Sequence, residues 1–103
     1  MTDTEKIIAY IDPDLEEIIP MFFENSHEEL QELENALADG DYENICRLGH
    51  SAKGSALNYG FQEMGRIGKA IEDGAKAKED LDTLTSFYKE LVNYVNNVEV
   101  VYK

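Results

Sequence analysis

The stretch Ile45-Cys46-Arg47-Leu48-Gly49-His50-Ser51-Ala52-Lys53-Gly54-Ser55-Ala56 carries both a strong helical pattern and a group of polar residues that the pattern does not bury. Apolar residues recur through it every three or four positions, which is typical of one buried helix face. They are Ile45, Leu48, Ala52, Ala56 and, just beyond the stretch, Tyr59. With about 100° of rotation per residue, His50 points about 165° away from that face. The sequence therefore predicts an exposed histidine in the middle of a helix.

Two residues one turn further along flank the predicted position of this histidine. Lys53 and Gly54 follow His50 at i+3 and i+4, so they share its exposed side. Neutral imidazole is nucleophilic near neutral pH, and an ammonium group stabilises phosphoryl oxygens. Gly54 has no side chain, although glycine costs about 1 kcal/mol in a helix interior. An imidazole, a cation and a gap on one surface suit the handling of a phosphoryl group.

The same apolar spacing continues on both sides of the stretch and predicts further helices. A short leading helix is expected over about 13–19 and a long one over about 20–38, followed by the helix around His50 over about 42–58. A fourth has its apolar face at 61–75, and a last one runs over 81–102. Gly40 is expected to end the long helix and Asp41 to cap the next one, and so short a connection favours antiparallel neighbours. Gly60 is expected to end the helix around His50. The predicted fold is all-α: an antiparallel four-helix bundle with a short additional N-terminal helix, in one domain of residues 1–103.

The last five residues of that final helix are open to a second interpretation. The segment 98–102 is rich in β-branched residues, so propensity alone leaves a strand possible there. Continuity with the apolar spacing of the preceding residues favours a helix.

Composition excludes several classes of protein. The chain has 103 residues, a formal net charge of -13 and one cysteine. So much negative charge argues against binding to nucleic acid or to an anionic membrane. A single cysteine forms no intrachain disulfide, and neither a signal peptide nor a membrane-spanning run is recognisable, so a cytoplasmic protein is expected. Cys46 and His50 lack further ligands except the distant His27, so no metal site is expected.

The residues around His50 match the pattern of a known family. The run from His50 to Ala56, followed by Gly60, Met64, Ile71 and Glu72, resembles the histidine-containing phosphotransfer (HPt) domain of bacterial phosphorelays. The family pattern is His-x-Leu-Lys-Gly-Ser/Ala, a glycine about ten residues after the histidine, and a helix that ends near Leu-Glu. This chain departs from it at Ala52, where the family has a larger apolar residue, and at Leu57, where a small residue is common. The small Ala52 is expected to thin the core beneath the site.

The resemblance implies a phosphoryl carrier and not an enzyme with its own ATP site. His50 would accept a phosphoryl group from the aspartyl phosphate of a response-regulator receiver domain, or donate one to it. The receiver domain would supply the aspartate and the magnesium ion, and a hybrid sensor histidine kinase would be a further partner. No cofactor is expected in this chain, and a monomer is expected. Lys53 would hold phosphoryl oxygens, and Gly54 would leave room for the partner.

Glu72 and four residues near His50 have expected roles with alternatives. We hypothesise that Glu72 accepts a hydrogen bond from one ring nitrogen of His50, which leaves the other as the nucleophile; the alternative is a solvated residue on a helix flank. Gly65 and Gly68 share that flank and are expected to let their helix approach the His50 helix closely. The residues expected to dock a receiver domain are Cys46, Arg47, Ser51 and Leu57. The alternative for Leu57 is packing on the flank of the bundle.

Two other functions compete with that of a carrier. The same bundle could dock receiver domains or a kinase without being phosphorylated, although such a module needs no histidine. It could also be a piece of a kinase that phosphorylates it, in which case ATP would bind to another domain or chain.

Overall fold

The computed structural model describes residues 6–103, and these residues form four α-helices and one small parallel sheet. The elements in chain order are β1 (Ile7–Ile11), a 3-10 turn (Pro13–Leu15), α1 (Ile19–Asp39), α2 (Tyr42–Tyr59), α3 (Gln62–Lys76), α4 (Leu81–Asn97) and β2 (Val98–Tyr102). Both α1 and α3 pack against α2 and α4, so the helices form a closed ring. The four helices are therefore confirmed, and their antiparallel order stays a prediction.

Local capping explains where α2 begins and where the first two helices end. The side chain of Asp41 accepts a hydrogen bond from the backbone N–H of Asn44 at 3.2 Å and so caps the start of α2. Gly40 and Gly60 follow α1 and α2 with φ of 65° and 95°, a left-handed conformation that glycine adopts without strain. The predicted glycine stops are confirmed.

The helix predicted over about 13–19 is not formed. Only Pro13–Leu15 makes a 3-10 turn, which the side chain of Asp12 caps at the N–H of Asp14, 2.9 Å away. The first long helix then begins at Ile19 and includes Pro20 in its first turn, where the missing N–H of proline is tolerated. The two prolines leave too few residues between them for a separate helix.

The all-α prediction is confirmed for the four helices and is wrong for Ile7–Ile11 and Val98–Tyr102, which form strands. The last helix ends at Asn97 and not at Tyr102, and β2 pairs in parallel with β1, from Ile7 opposite Val98 to Ile11 opposite Tyr102. The β-branched residues of β2 fit a pleated sheet, and β1 supplies the partner strand from the opposite end of the sequence. Spacing within β2 alone could not reveal that partner.

One core lies between the helices and under the sheet. Its largest fully buried side chains are Ile11, Ile45, Phe61, Met64, Ile71 and Leu84. Because Ile11 belongs to β1, the sheet contributes to the same core as the helices. In the described part of the chain, no helix combines the length and the apolar character needed to cross a membrane.

Candidate functional site

His50 lies in the middle of α2 with its side chain on the solvent side. The imidazole is 68% exposed, whereas Leu48 and Ala52 on the opposite face are buried. Lys53 is 28% exposed, and a Cβ added at Gly54 would meet no atom within 4 Å. The side chain of His50 therefore points to solvent as predicted, and the space beside Gly54, one turn further along α2, is open.

A close crossing of α2 and α3 brings a carboxylate beneath the imidazole. A Cβ on Gly49 would lie 2.7 Å from the backbone N of Glu72, and a Cβ on Gly68 would lie 2.7 Å from the backbone N of Lys53. The two backbones therefore touch where both helices have no side chain. The expected close approach at Gly68 is confirmed. Gly49 was not anticipated, although a glycine inside a helical run was a usable signal.

Glu72 is buried and contacts three basic side chains. Its Oε2 lies 2.9 Å from Nδ1 of His50, and its Oε1 accepts a hydrogen bond from Nζ of Lys53 at 2.8 Å. Nζ of Lys76, one turn further along α3, lies 3.4 Å from Oε2. The carboxylate side chain is only 7% exposed, so Glu72 is not a solvated flank residue. We refer to His50, Lys53, Glu72 and Lys76 as the His50 cluster.

These contacts keep Glu72 ionised in spite of its burial. The hydrogen bond from Lys53 is the largest influence and lowers the pKa of Glu72, while burial alone would raise it. The hydrogen bond with His50 and the charges of Lys53 and Lys76 lower it further, to about 2 from an ordinary 4.5. A carboxylate with this pKa is a permanent acceptor for a ring N–H of His50 at physiological pH.

The residues predicted to dock a partner lie around His50 but do not join the His50 cluster. Arg47 pairs with Glu32 of α1 at 3.4 Å, and Ser51 donates a hydrogen bond to Glu29 at 2.7 Å. Cys46 is a half-buried free thiol.

Leu57 packs on the flank of the bundle and is also partly exposed, and its role in docking stays a prediction. Its side chain is 54% exposed, yet it also covers Gly65, where an added Cβ would come within 2.7 Å of its Cδ2. Leu57 therefore packs on α3 through one side and presents the other side to solvent.

An open groove beside α2 was not predicted. It has a volume of about 400 Å³, and Ser55 and Tyr59 of α2 line one side of it. Its α1 side includes the exposed apolar side chains of Ile18 and Met21 together with glutamates. The signal in the sequence was the pair Ile18 and Met21, two apolar residues that do not belong to the buried face of α1.

A small space borders Ala52 below the site. It has a volume of about 10 Å³ and is lined also by Leu30, Leu33, Leu48, Met64 and Leu91 and by the polar residues Ser26 and Glu29. The expected thinning of the core at Ala52 stays a prediction.

No group of three His, Cys, Asp or Glu side chains suited to a metal ion occurs within residues 6–103. The His50 cluster itself offers an exposed imidazole whose Nδ1 is engaged, with two ammonium groups close by.

Comparison with known proteins identifies one family. The model of the Hpt domain family matches residues 17–99, which include all four helices and every residue of the His50 cluster. Neither the curated proteins nor the solved structures contain a significant match. The matched region covers most of the chain, so the protein belongs to the Hpt domain family, whose members transfer phosphoryl groups through histidine in phosphorelays.

Proposed function

We propose that this protein carries a phosphoryl group on Nε2 of His50 and exchanges it with the aspartate of response-regulator receiver domains. The observation that supports this most directly is the contact between Nδ1 of His50 and the buried carboxylate of Glu72. With Nδ1 engaged, Nε2 is the ring nitrogen left to react, and the ring is exposed enough for a partner to reach it.

The proposed exchange needs only groups that the two proteins hold. Nε2 of the neutral ring attacks the phosphorus of an aspartyl phosphate, an N–P bond forms, and the P–O bond to the aspartate breaks. The receiver recovers its carboxylate, and a magnesium ion held by the receiver would supply positive charge for the phosphoryl oxygens. The proton stays on Nδ1, where the Glu72 carboxylate stabilises the positive charge that the ring acquires. Transfer in the opposite direction restores the neutral ring.

Lys53, Lys76 and Gly54 have supporting roles in this proposal. The ammonium of Lys53 is bound to Glu72 and lies one helical turn from His50, close enough to turn towards phosphoryl oxygens. Lys76 holds a second positive charge at the same carboxylate. The empty space at Gly54 gives the receiver's aspartate a route to the ring.

The docking surface would surround His50 on α2 and extend onto α1. Leu57 and Cys46 supply apolar contacts, and Arg47 and Ser51 supply polar ones. Met21, exposed in the groove between α1 and α2, extends the apolar area. We propose receiver domains and a hybrid sensor histidine kinase as the partners, and the cytoplasm as the compartment.

Transfer of labelled phosphate from a receiver domain tests this proposal. The wild-type protein is incubated with a receiver whose aspartate carries a radiolabelled phosphoryl group from a small-molecule acyl phosphate, and label on each chain is followed with time. His50→Gln should accept no label. His27→Gln is the matched control, because it removes the other histidine of the chain, and it should accept label as the wild type does.

Chemical stability of the label identifies the linkage. Label on His50 should be lost in acid and kept in alkali, as expected for a phosphoimidazole. Binding of receivers without any label on the wild type would favour the docking-only module, and label on His50→Gln would place the acceptor elsewhere.

A further inference from the structure

The outer edge of β1 has backbone groups that nothing within residues 6–103 pairs. The carbonyl of Ile11 accepts a hydrogen bond from the N–H of Lys103, so the odd-numbered residues of β1 direct their backbone groups towards β2. Backbone groups alternate along a strand, so those of Ile8 and Tyr10 point to the opposite side. Unpaired edges of this kind are templates for a further strand.

A groove runs along this edge and leaves space for that strand. It has a volume of about 560 Å³ and lies between β1 and the start of α3, where Gly60, Gln62 and Glu63 border it. No residue of β2 and no member of the His50 cluster borders it. A strand in this groove would therefore extend the sheet without covering the candidate site.

We propose that the occupant is β1 of a second copy of this chain, in antiparallel orientation, so that two molecules share one four-stranded sheet. The sequence around the strand is Lys6-Ile7-Ile8-Ala9-Tyr10-Ile11-Asp12. If the two strands pair symmetrically about Ala9, Ile8 lies opposite Tyr10 of the other copy. The backbone groups of both residues point outward, so each such pair exchanges two hydrogen bonds.

The side chains in this register complement each other. Ile8 and Tyr10 are both exposed on the outer face of the sheet and become an aliphatic–aromatic cross-strand pair. At each end of the paired segment, Lys6 lies opposite Asp12 of the other copy. The register thus joins apolar with apolar and positive with negative residues along its whole length.

The free edge of β2 is less suited to self-pairing. Pairing of two copies about Val100 would place Glu99 opposite Val101 of the other copy on the exposed face. That register joins a charged residue with an apolar one and supplies no ion pair. The complementarity therefore favours β1.

The net negative charge of both copies weakens this dimer, and added salt should strengthen it. Each copy has a net charge of -13, and the exposed pairs at Lys6 and Asp12 contribute at most about 1 kcal/mol each. Repulsion between the two copies acts over longer distances, and salt screens it with a Debye length of about 8 Å at physiological ionic strength. We therefore expect a reversible dimer whose fraction rises with protein concentration and with salt.

Molar mass in solution tests the proposal. Sedimentation equilibrium of the full chain over a hundredfold range of concentration should show a monomer–dimer equilibrium for the wild type. Ile8→Pro removes an outward N–H from β1 and should abolish the dimer. Val100→Pro is the matched control, because it removes an outward N–H from the free edge of β2, and it should keep the dimer. Circular dichroism checks that both variants remain folded.

Exchanged charges test the register. Lys6→Glu alone and Asp12→Lys alone should each dimerise about tenfold more weakly, because like charges then face each other at both ends. A mixture of the two variants should recover dimer, since each glutamate then faces a lysine. A wild-type chain that stays monomeric throughout would overturn the proposal. Dimerisation of Ile8→Pro, or of either charge variant at wild-type strength, would overturn the pairing at β1.

Discussion

Glu72 combines two properties that rarely occur together, burial and a permanent negative charge. Three basic side chains make this possible, and one of them is the imidazole of His50. The carboxylate thereby holds His50 and Lys53, two residues of one α2 face, in a fixed relation to each other. Removal of Glu72 would affect both residues at once.

Glu72→Gln should reduce the stability of the protein in a pH-dependent way. Because the folded-state pKa of Glu72 is about 2, below its ordinary 4.5, the ionised carboxylate stabilises the fold above pH 4.5, and that stabilisation is lost as the pH falls towards 2. Chemical denaturation of both proteins should show a stability difference that shrinks by about 2–3 kcal/mol across this window. The other carboxylates titrate in both proteins and cancel. A difference that is constant with pH would contradict the assignment.

Gly54 is predicted to lower the stability of the protein while it leaves His50 accessible to the partner. Nothing lies within 4 Å of the position of its absent Cβ, so Gly54→Ala should raise the free energy of unfolding by about 0.5–1 kcal/mol. Gly54→Leu should keep most of this gain and slow phosphoryl transfer, because the larger side chain lies one turn from His50 on the same face. Thermal unfolding and label transfer measure the two effects. Unchanged transfer in Gly54→Leu would exclude the proposed role in access.

At the scale of elements, the crossing of α2 and α3 positions the His50 cluster. A Cβ added at Gly68 would lie 2.7 to 3.0 Å from backbone atoms of Lys53 and Gly49. Backbone atoms, unlike the end of a flexible side chain, move only with their helix. The separation of the two helices thus determines the distance between His50 and Glu72.

Gly68→Ala should therefore destabilise the protein by about 1–3 kcal/mol and also slow phosphoryl transfer, since the added methyl group pushes α3 away from Lys53. Gly54→Ala is the matched control, because the same change on the open side of α2 should stabilise. Denaturant unfolding and label transfer are again the measurements. Equal effects of the two substitutions would show that helix propensity and not the crossing controls stability.

The helices were predictable from the sequence because a helix depends on residues that are near in sequence. Ile45 to Tyr59 and Phe61 to Ala75 repeat with helical spacing, and their buried faces are those that the pattern indicates. The sheet was not predictable in this way, because Val98–Tyr102 also continues the helical spacing and its partner strand is at the other end of the chain. The same limit applies to the site: the exposure of His50 followed from one helix, whereas the contacts of Lys76 and the role of Gly49 depend on how two helices meet.

At the scale of the whole molecule, β1 closes the core although it lies before the region that matches the family model. Ile11 of β1 is fully buried and Ile8 is exposed, so the strand has one face in the core and one in solvent. The end of the bundle beneath the sheet therefore depends on residues from outside the helices.

Ile11→Ala should reduce the free energy of unfolding by about 2–4 kcal/mol, because it removes buried methyl groups and leaves a cavity. Ile8→Ala, the same substitution on the exposed face of the same strand, should change it by less than about 1 kcal/mol. Denaturation at low protein concentration keeps the monomer as the species measured. A small effect of Ile11→Ala would show that the helices are stable without β1.

The parallel pairing of β1 with β2 also bears on the order of folding. Each helix closes on contacts a few residues apart, whereas the pair Ile7 and Val98 joins the two ends of the chain. Closing a loop of that length costs about 4 kcal/mol of chain entropy. The helices lower this cost only after they have assembled, because they then hold the two strands close together. The sheet is therefore expected to form last and to open first. In native-state hydrogen exchange, the amides of Ala9 and Ile11 should then exchange through openings that leave the helix around His50 intact.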